Sequence, residues 1–429
     1  MSRSLELYKK ALELFPGGVN SPVRAAVKPY PFYVERAEGA YIYTVDGEKL
    51  VDLVLAYGPL ILGHRHPEVE RRILEQLSRG WLYGAPAEVE VKLARKIVNY
   101  VMRGGMVRFV NSGSEATALA IRLSRGYTRR KLIVKFDGCY HGAHDAVLVA
   151  AGSAAEHYGV PSSDGVPEEV ARSTLVLQFN DVDGLEKAFK EYGDKIAAVI
   201  VEPVMGNLGV IPPDPEFLKA LRELTEAYGS MLVFDEVITG FRLGLGGAQE
   251  RYGVKADIVV LGKIIGGGFP VGAVVSRREV MENVAPQGRV FNAGTFNAHP
   301  VTMAAGFATI EVLERGDVYP VASEAGARIA KAIEDSAGRA GLDVWVNRVE
   351  SMLQVFFTNK PVTNALTARM SNKSIYERFH DEMRRRGVFI TPSQFEAIFT
   401  GLPHRGEVLE YIVDSIHESF KSMVSRGEG

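Results

Sequence analysis

Short runs of aliphatic and β-branched residues alternate with helical patterns through the middle of the chain. The strand-like runs cover 106–110, 131–136, 173–177, 197–202, 231–234 and 257–261, and the helical patterns cover about 114–125, 184–192 and 215–228. Apolar strands of this kind, separated by helices, are typical of a parallel sheet that is buried on both faces. The sequence therefore predicts an α/β core.

A seventh apolar run, 271–276, follows the strand at 257–261 after the turn GGGFP. A parallel crossover needs a dozen or more residues, so we expect this run to return antiparallel beside its neighbour. The predicted sheet is then mixed but mostly parallel. Ligands of such sheets lie outside the carboxyl ends of the strands, and that edge is where a site is expected.

Both ends of the chain differ from the middle. Before residue 65 the pattern is one of turn-rich strands, and after about 315 long charged helices alternate with short strands. We interpret the two ends as packing together into a smaller α+β domain. The predicted organisation is a small-domain segment over 1–65, a large domain over 66–314 and the rest of the small domain over 315–429.

The composition argues against a highly charged partner. The chain has 429 residues, with 50 basic and 52 acidic side chains and a formal net charge of −2, so no broad field favours nucleic acid or an anionic membrane. The single cysteine, Cys139, excludes an intrachain disulfide framework and a Cys-based zinc site. Residues 1–18 match neither a signal peptide nor a membrane span, and we expect a cytoplasmic protein.

Two side chains at predicted strand ends suggest carbonyl chemistry. Asp235 follows the run at 231–234, and Lys263 lies in the turn after 257–261. Burial in an apolar turn disfavours the charged form of a lysine, which makes its amine available to attack a carbonyl carbon. Pyridoxal phosphate requires such a lysine and also a carboxylate that keeps its ring nitrogen protonated. The alternative is a solvated turn lysine and a capping acid; the pairing of the two residues favours the cofactor.

A possible phosphate site lies between a predicted strand and a predicted helix. Ser112, Gly113 and Ser114 occupy this junction, where free N–H groups and the helix dipole would suit an anion. The segment lacks the patterns of a P-loop or a dinucleotide fingerprint. The alternative is an ordinary capping box, and the two interpretations are compatible.

An aromatic residue and several histidines follow the strand at 131–136. Tyr140 lies on a glycine-flanked turn, where its ring could stack on a planar cofactor or simply pack under a loop. Metal ligation would need His141, His144, His64 or His66. We reject a metal site, because their spacing lacks the helical His pairing and no acidic cluster accompanies them.

The longest poorly patterned segment is 151–167, which is rich in Gly, Ser and Pro. Segments of this length inside a compact domain are often active-site lids. A plain surface loop is the alternative.

Several motifs together resemble the class III aminotransferase family of fold-type I pyridoxal-phosphate enzymes. They are NSGSEA, YHG, VEPVMGN, DEVITGFR and LGKIIGGGFPVGA, and the similarity extends from 20–25 to 393–400. The resemblance implies that Lys263 forms the covalent link to the cofactor and moves protons, and that Asp235 binds the pyridine nitrogen. It further implies contacts from the following residues: Val237 and Tyr140 on the ring, Ser112, Gly113 and Ser114 at the phosphate, Asn207, and Thr295 from a second subunit. The active unit would be a homodimer.

The same resemblance implies an isomerase and not a transferase. In the transferases an arginine commonly binds a second substrate, whereas SQFEA has Glu396, whose carboxylate would repel a dicarboxylate donor. Arg24 and Ser21 are implied to hold the substrate carboxylate, an interaction suited to arginine's fork, and Tyr57 to form a wall. The implied reaction converts (S)-4-amino-5-oxopentanoate to 5-aminolevulinate through 4,5-diaminovalerate, in tetrapyrrole (porphyrin) biosynthesis.

This cycle would start from pyridoxamine phosphate, with Lys263 and Glu396 as the catalytic residues, and Glu396 would help to hold the aminated cofactor. The family pattern commonly has tryptophan at Tyr57 and Leu-Ser-Gly-Asn-Pro at 296–300, where this chain has FNAHP. Both departures concern the substrate more than the cofactor. A class III aminotransferase or racemase acting on another amine is the alternative.

Overall fold

The computed structural model describes residues 2–150 and 160–425. The strands are β1 Val34–Glu38, β2 Tyr41–Thr44, β3 Lys49–Asp52, β4 Met106–Val110, β5 Leu132–Phe136, β6 Val149–Ala150, β7 Val160–Pro161, β8 Thr174–Leu177, β9 Ile196–Val201, β10 Met231–Asp235, β11 Ile258–Gly262, β12 Gly272–Ser276, β13 Trp345–Val349, β14 Met352–Phe356, β15 Val388–Phe389 and β16 Ile398–Phe399.

The α-helices are α1 Arg3–Leu14, α2 Pro67–Leu77, α3 Glu88–Val101, α4 Gly113–Thr128, α5 Glu168–Ala171, α6 Val182–Tyr192, α7 Pro215–Tyr228, α8 Gly247–Tyr252, α9 Arg278–Met281, α10 Pro300–Leu313, α11 Val318–Arg339, α12 Ala365–Arg369, α13 Lys373–Arg385 and α14 Glu407–Ser425. Across the ranges 2–150 and 160–425, no helix is long and apolar enough to cross a membrane.

The largest sheet of the described chain has seven strands in the order β4-β12-β11-β10-β9-β5-β8. Strands β11, β10, β9, β5 and β8 run parallel, while β12 is antiparallel to both of its neighbours. The predicted mixed, mostly parallel sheet is therefore confirmed, including the antiparallel return of the seventh run. The three helical patterns correspond to α4, α6 and α7.

Both faces of this sheet are buried. In β10, Leu232 and Phe234 pack into one hydrophobic cluster, whereas Met231 and Val233 pack into a second cluster together with residues of α4. Because successive side chains of a strand point to opposite faces, a run that is apolar at every position must be covered on both sides. This explains why the central strands are recognisable in the sequence.

The two ends of the chain meet in a smaller sheet. Strand β15 pairs in parallel with β3, and the order is β1-β2-β3-β15. A third sheet contains β13, β14 and β16, and one hydrophobic cluster joins Val51 of β3 to Phe379 of α13 and Ile412 of α14. This pairing is compatible with the predicted small domain, whose boundaries stay a prediction.

The segment 151–167, which could be an active-site lid, lies partly outside the residues that the structure describes. Residues 151–159 lie outside the described ranges, and 160–161 form β7, which pairs with β6. The choice between a lid and a surface loop therefore stays open.

Candidate active site

The predicted acid and lysine lie at the same edge of the large sheet. Asp235 ends β10 and pairs in register with Val260 of β11, and Lys263 directly follows β11. A cavity of about 230 Å³ adjoins them. Its lining includes eight predicted site residues, namely Lys263, Asp235, Val237, Tyr140, Ser112, Gly113, Ser114 and Asn207, and also His141, Gly142, Glu202, Ile238 and Val271.

Asp235 is buried and held by two contacts. Its Oδ2 lies 2.8 Å from Nδ1 of His141, and its Oδ1 accepts a hydrogen bond from the N–H of Val237 at 3.1 Å. The side chain of His141 is fully buried, and its Nε2 has no hydrogen-bond partner among the described residues. The sequence pattern raises His141 only as a metal ligand, whereas in the structure it lies beside the carboxylate of Asp235.

Lys263 has an amine that is easy to deprotonate. Its Nζ donates to the main-chain carbonyl of Tyr57 at 2.6 Å. Burial lowers the pKa of Lys263 to about 8, although the carboxylates of Glu396, Glu202 and Asp235 act in the opposite direction. At pH 7 about one tenth of this amine is therefore neutral and nucleophilic, far more than for an ordinary lysine.

A second buried carboxylate, that of Glu202, organises the wall beside the cavity. It accepts hydrogen bonds from the N–H of Tyr140 at 2.8 Å, the N–H of Gly206 at 2.9 Å and Nδ2 of Asn207 at 3.0 Å. Burial raises the pKa of Glu202. Sequence reasoning missed this residue, although it lies in the VEPVMGN motif, because its partners are fixed only by the fold.

The start of α4 forms the opposite end of the cavity. Ser112 is the N-cap and its Oγ accepts from the N–H of Glu115 at 3.2 Å, while the Glu115 carboxylate accepts from the N–H of Asn111 at 3.0 Å, so the N-cap half of the predicted capping box is formed. Ser114 Oγ accepts from the N–H of Ala143 at 3.1 Å. A Cβ at Gly142, where φ is +100°, would lie 2.4 Å from Ser114 Oγ; only glycine lets the two segments approach so closely.

Two residues predicted to contact the cofactor ring line the same cavity. The side chain of Tyr140 is 53% exposed and lines the cavity, and Val237 lines it as well. The methyl groups of Val237 also lie against Gly113, where a Cβ would be 3.2 Å away. The turn that follows β10 thus packs against the start of α4.

The predicted substrate residues lie in a different place. Arg24 and Tyr57 line a second cavity of about 530 Å³, together with Asp52 and His64. Ser21 precedes the short helix Pro22–Ala26, and its carbonyl accepts from the N–H of Arg24 at 3.0 Å. Burial raises the pKa of Tyr57 to about 12.

Glu396 lies near both groups of residues. Burial raises the pKa of its carboxyl to about 7, against the opposing effect of Lys263. Electrostatic interactions link Glu396 to both Lys263 and Tyr57. A carboxyl group with this pKa changes its charge near neutrality and can exchange a proton there.

Thr295 is exposed and is not among the residues lining the smaller cavity. Nearby, Oδ1 of Asn297 accepts from Nδ2 of Asn111 at 3.1 Å, so the GTFNAHP segment lies beside the start of α4. The role of Thr295 across a subunit boundary stays a prediction.

The fold and the strand-end pair of acid and lysine define a class of enzyme. A family model described as Aminotransferase class-III matches residues 23–403. The chain belongs to the class III aminotransferase family.

Two proteins of similar sequence share one name. The chain is 64% identical to a protein of Aeropyrum pernix named glutamate-1-semialdehyde 2,1-aminomutase, over 98% of each chain. It is 63% identical to a protein of the same name from Hyperthermus butylicus, over 98% of this chain and 99% of the other.

Solved structures share the whole fold. An omega-transaminase from Sphaerobacter thermophilus superposes with a TM-score of 0.91 at 35% identity and covers 98% of this chain and 97% of its own. A glutamate-1-semialdehyde aminomutase from Pseudomonas aeruginosa superposes with a TM-score of 0.87 at 26% identity, over 98% and 94% of the two chains.

Proposed function

We propose that this protein is an isomerase that uses pyridoxal phosphate and pyridoxamine phosphate to convert (S)-4-amino-5-oxopentanoate, glutamate 1-semialdehyde, to 5-aminolevulinate. The observation that carries the proposal is the placement of Asp235 and Lys263 at one sheet edge in a chain 64% identical to a protein named for that activity. The product would feed tetrapyrrole biosynthesis.

The cavity suits the cofactor at both of its ends. At one end, the buried carboxylate of Asp235 has a neighbouring histidine and no arginine or lysine partner among its recorded contacts in the described chain, so it can pair with a protonated ring nitrogen. At the other end, Ser112, Gly113 and Ser114 form the start of the long helix α4, where a phosphate is favoured. When bound, the cofactor accepts the electron pair of a substrate carbanion and carries the amino group.

The remaining cofactor contacts are assigned by position. Tyr140 and Val237 line the cavity and would flank the ring, and Asn207, held by Glu202 at 3.0 Å, would contact its edge. Thr295 of a second subunit would complete the phosphate site. The exposed rings of Phe291 and Phe296, at 70% and 57%, support burial of this segment in a homodimer.

Lys263 is proposed as the group that moves the proton. Its pKa of about 8 allows both the neutral and the charged amine near neutral pH. The carbonyl of Tyr57, 2.6 Å from Nζ, holds the amine when it is not bonded to the cofactor. Glu396, with a pKa of about 7, would assist by exchanging a proton with the substrate side.

Arg24 and Ser21 are proposed to bind the single carboxylate of the substrate, with Tyr57 as a wall of the substrate site. Arg24 is exposed at the mouth of the second cavity and supplies the cationic fork that a carboxylate prefers. In its ionised form, Glu396 would disfavour a second, dicarboxylate substrate by charge repulsion. The balanced charge and the single cysteine support a cytoplasmic location.

A second candidate is amino transfer from a separate donor, which the likeness to the omega-transaminase favours. Incubation of the enzyme with the semialdehyde, with and without an added amino donor, separates the two. The proposal expects 5-aminolevulinate at the same rate in both mixtures. A requirement for the donor would overturn it in favour of the transaminase.

A further inference from the structure

The amine of Lys263 donates a hydrogen bond to a strained turn at residues 55–58. Leu55, Ala56 and Tyr57 have φ of 46°, 55° and 64°, and Gly58 follows with φ of 118°. Consecutive non-glycine residues in this left-handed region are unfavourable and persist only where the surroundings hold them. The turn is anchored at its start, where Oδ1 of Asp52 accepts from the N–H groups of Val54 and Leu55 at 2.9 and 3.0 Å.

The other end of the turn is held by Arg242. This side chain is only 1% exposed, and its guanidinium donates to the carbonyl of Gly58, to Ser351 Oγ at 3.1 Å and to the carbonyl of Thr400 at 3.4 Å. It also lies 4.7 Å from the ring centre of Phe399. Within the described residues it forms no ion pair, so the partners of this buried cation are carbonyl and hydroxyl oxygens and an aromatic ring.

The turn and the lysine are in direct contact. Nζ of Lys263 donates to the carbonyl of Tyr57, and a Cβ added at Gly58 would lie 3.4 Å from Cδ of Lys263 and 3.4 Å from Cζ of Phe399. The carbonyls of Tyr57 and Gly58 therefore have different partners, the lysine for the first and the arginine for the second. A shift of the peptide after Gly58 would move the acceptor of the lysine.

We propose that Arg242 is a positioning residue for Lys263: by binding the Gly58 carbonyl it fixes the left-handed turn, so that the Tyr57 carbonyl receives the amine of Lys263 whenever that amine is free. The proposal rests on the proposed role of Lys263 in the reaction. The sequence position of Arg242 supports it, since Arg242 ends the segment that begins with Asp235 and its N–H donates to the carbonyl of Thr239 at 3.1 Å.

The charge of Arg242 acts on the same amine. Burial is the main cause of the lowered pKa of Lys263; of the charged groups acting on it, Arg242 lowers that pKa, whereas Glu396, Glu202 and Asp235 raise it. Loss of the guanidinium removes the cation and loosens the turn, which gives the amine more access to water. Both consequences favour the ammonium form; loss of the Tyr57 carbonyl as an acceptor acts in the opposite direction, but burial is the largest cause of the lowered pKa, so a net rise is expected.

The test measures the free amine of Lys263 directly. The full-length enzyme is loaded with pyridoxamine phosphate, which leaves Lys263 unbonded, and is trace-labelled with acetic anhydride across pH, with the Lys263 peptide quantified by mass spectrometry. The labelling midpoint of the native enzyme in this pyridoxamine-phosphate form is the reference for the variants. In Arg242→Met we expect a midpoint about one unit higher, hence about tenfold less labelling at pH 7. Arg242→Lys, which keeps a cation but not the fork, should lie between the two.

Arg130→Met is the matched control. Arg130 also donates to main-chain carbonyls, those of Gly193, Ile196 and Tyr228, away from the site, so its loss should reduce stability without moving the midpoint. A native midpoint in Arg242→Met would overturn the proposal.

If Arg242→Met does not fold, Ser351→Ala provides the test, because it removes one guanidinium acceptor and should move the midpoint upwards by less. An unmoved midpoint in that variant would also overturn the proposal. These results do not depend on which substrate is turned over, and the donor test described above fails or succeeds separately.

Discussion

The two cavities beside Lys263 are built from different kinds of structure. The smaller one is lined from the ends of β10 and β11 and the start of α4, elements buried in the main core. The larger one is lined mainly by loops and short helices of the N-terminal region, including Arg24 and the left-handed residue Tyr57, and also by residues of the small sheet such as Ile42, Asp52 and Phe389. Buried strands fix side chains more rigidly than surface loops do. The difference suggests that the first cavity determines the cofactor chemistry and the second determines the substrate.

Lys263→Ala should produce the largest effect on the cofactor side. The variant removes the amine that carries the proton, so we expect turnover to fall by at least about 10³-fold. Turnover is measured with the semialdehyde alone, and the unfolding temperature serves as a control for folding. Activity within tenfold of the native enzyme would show that another group moves the proton.

Asp235→Asn should cause the next largest loss of activity. Asparagine keeps the size of the side chain but cannot stabilise a protonated ring nitrogen, and we expect about a 10²-fold fall in kcat. The binding of pyridoxal phosphate, measured by absorbance, should weaken less. If kcat were unchanged, the assignment of the ring nitrogen to Asp235 would be wrong.

Arg24→Ala should affect substrate binding in the larger cavity without affecting cofactor binding in the smaller one. Loss of a charge-assisted pair with the substrate carboxylate predicts a rise in KM of about 10- to 100-fold, with cofactor binding unchanged. Arg36→Ala is the control, since Arg36 is an exposed N-terminal arginine that stacks on Tyr43. Equal effects of the two variants on KM would place the carboxylate site elsewhere.

Tyr57→Phe should have the smallest effect. The change removes the hydroxyl but keeps the ring and the carbonyl that holds Lys263, so kcat/KM should fall by less than about tenfold. A loss comparable to that of Lys263→Ala would mean that the hydroxyl itself takes part in the reaction.

The large sheet was predictable because its strands are apolar at successive positions, as in Leu232 and Val233, which face opposite clusters. Asp235 and Lys263 were predictable because strand ends form the binding edge of such sheets. The two-residue strands β15 and β16 gave no pattern to detect, since their stability comes from pairing with β3 and β14.

The groups that support the site could not be derived in this way. His141 meets Asp235 across 94 residues of sequence, and Arg242 meets Gly58 across 184. Such contacts depend on the tertiary fold and leave no local periodicity. Arg24, Ser21 and Glu396 came from the family resemblance and not from any pattern in the residues themselves, and their roles stay predictions.

The reaction proposed for this enzyme takes both the amino group and its acceptor from one substrate. It is tested most directly by counting the 5-aminolevulinate formed per active site when the enzyme, loaded with pyridoxamine phosphate, receives an excess of semialdehyde and no other amine. We expect many equivalents of 5-aminolevulinate per site, formed at a steady rate. Formation of at most one equivalent, followed by arrest until an amino donor is added, would contradict it.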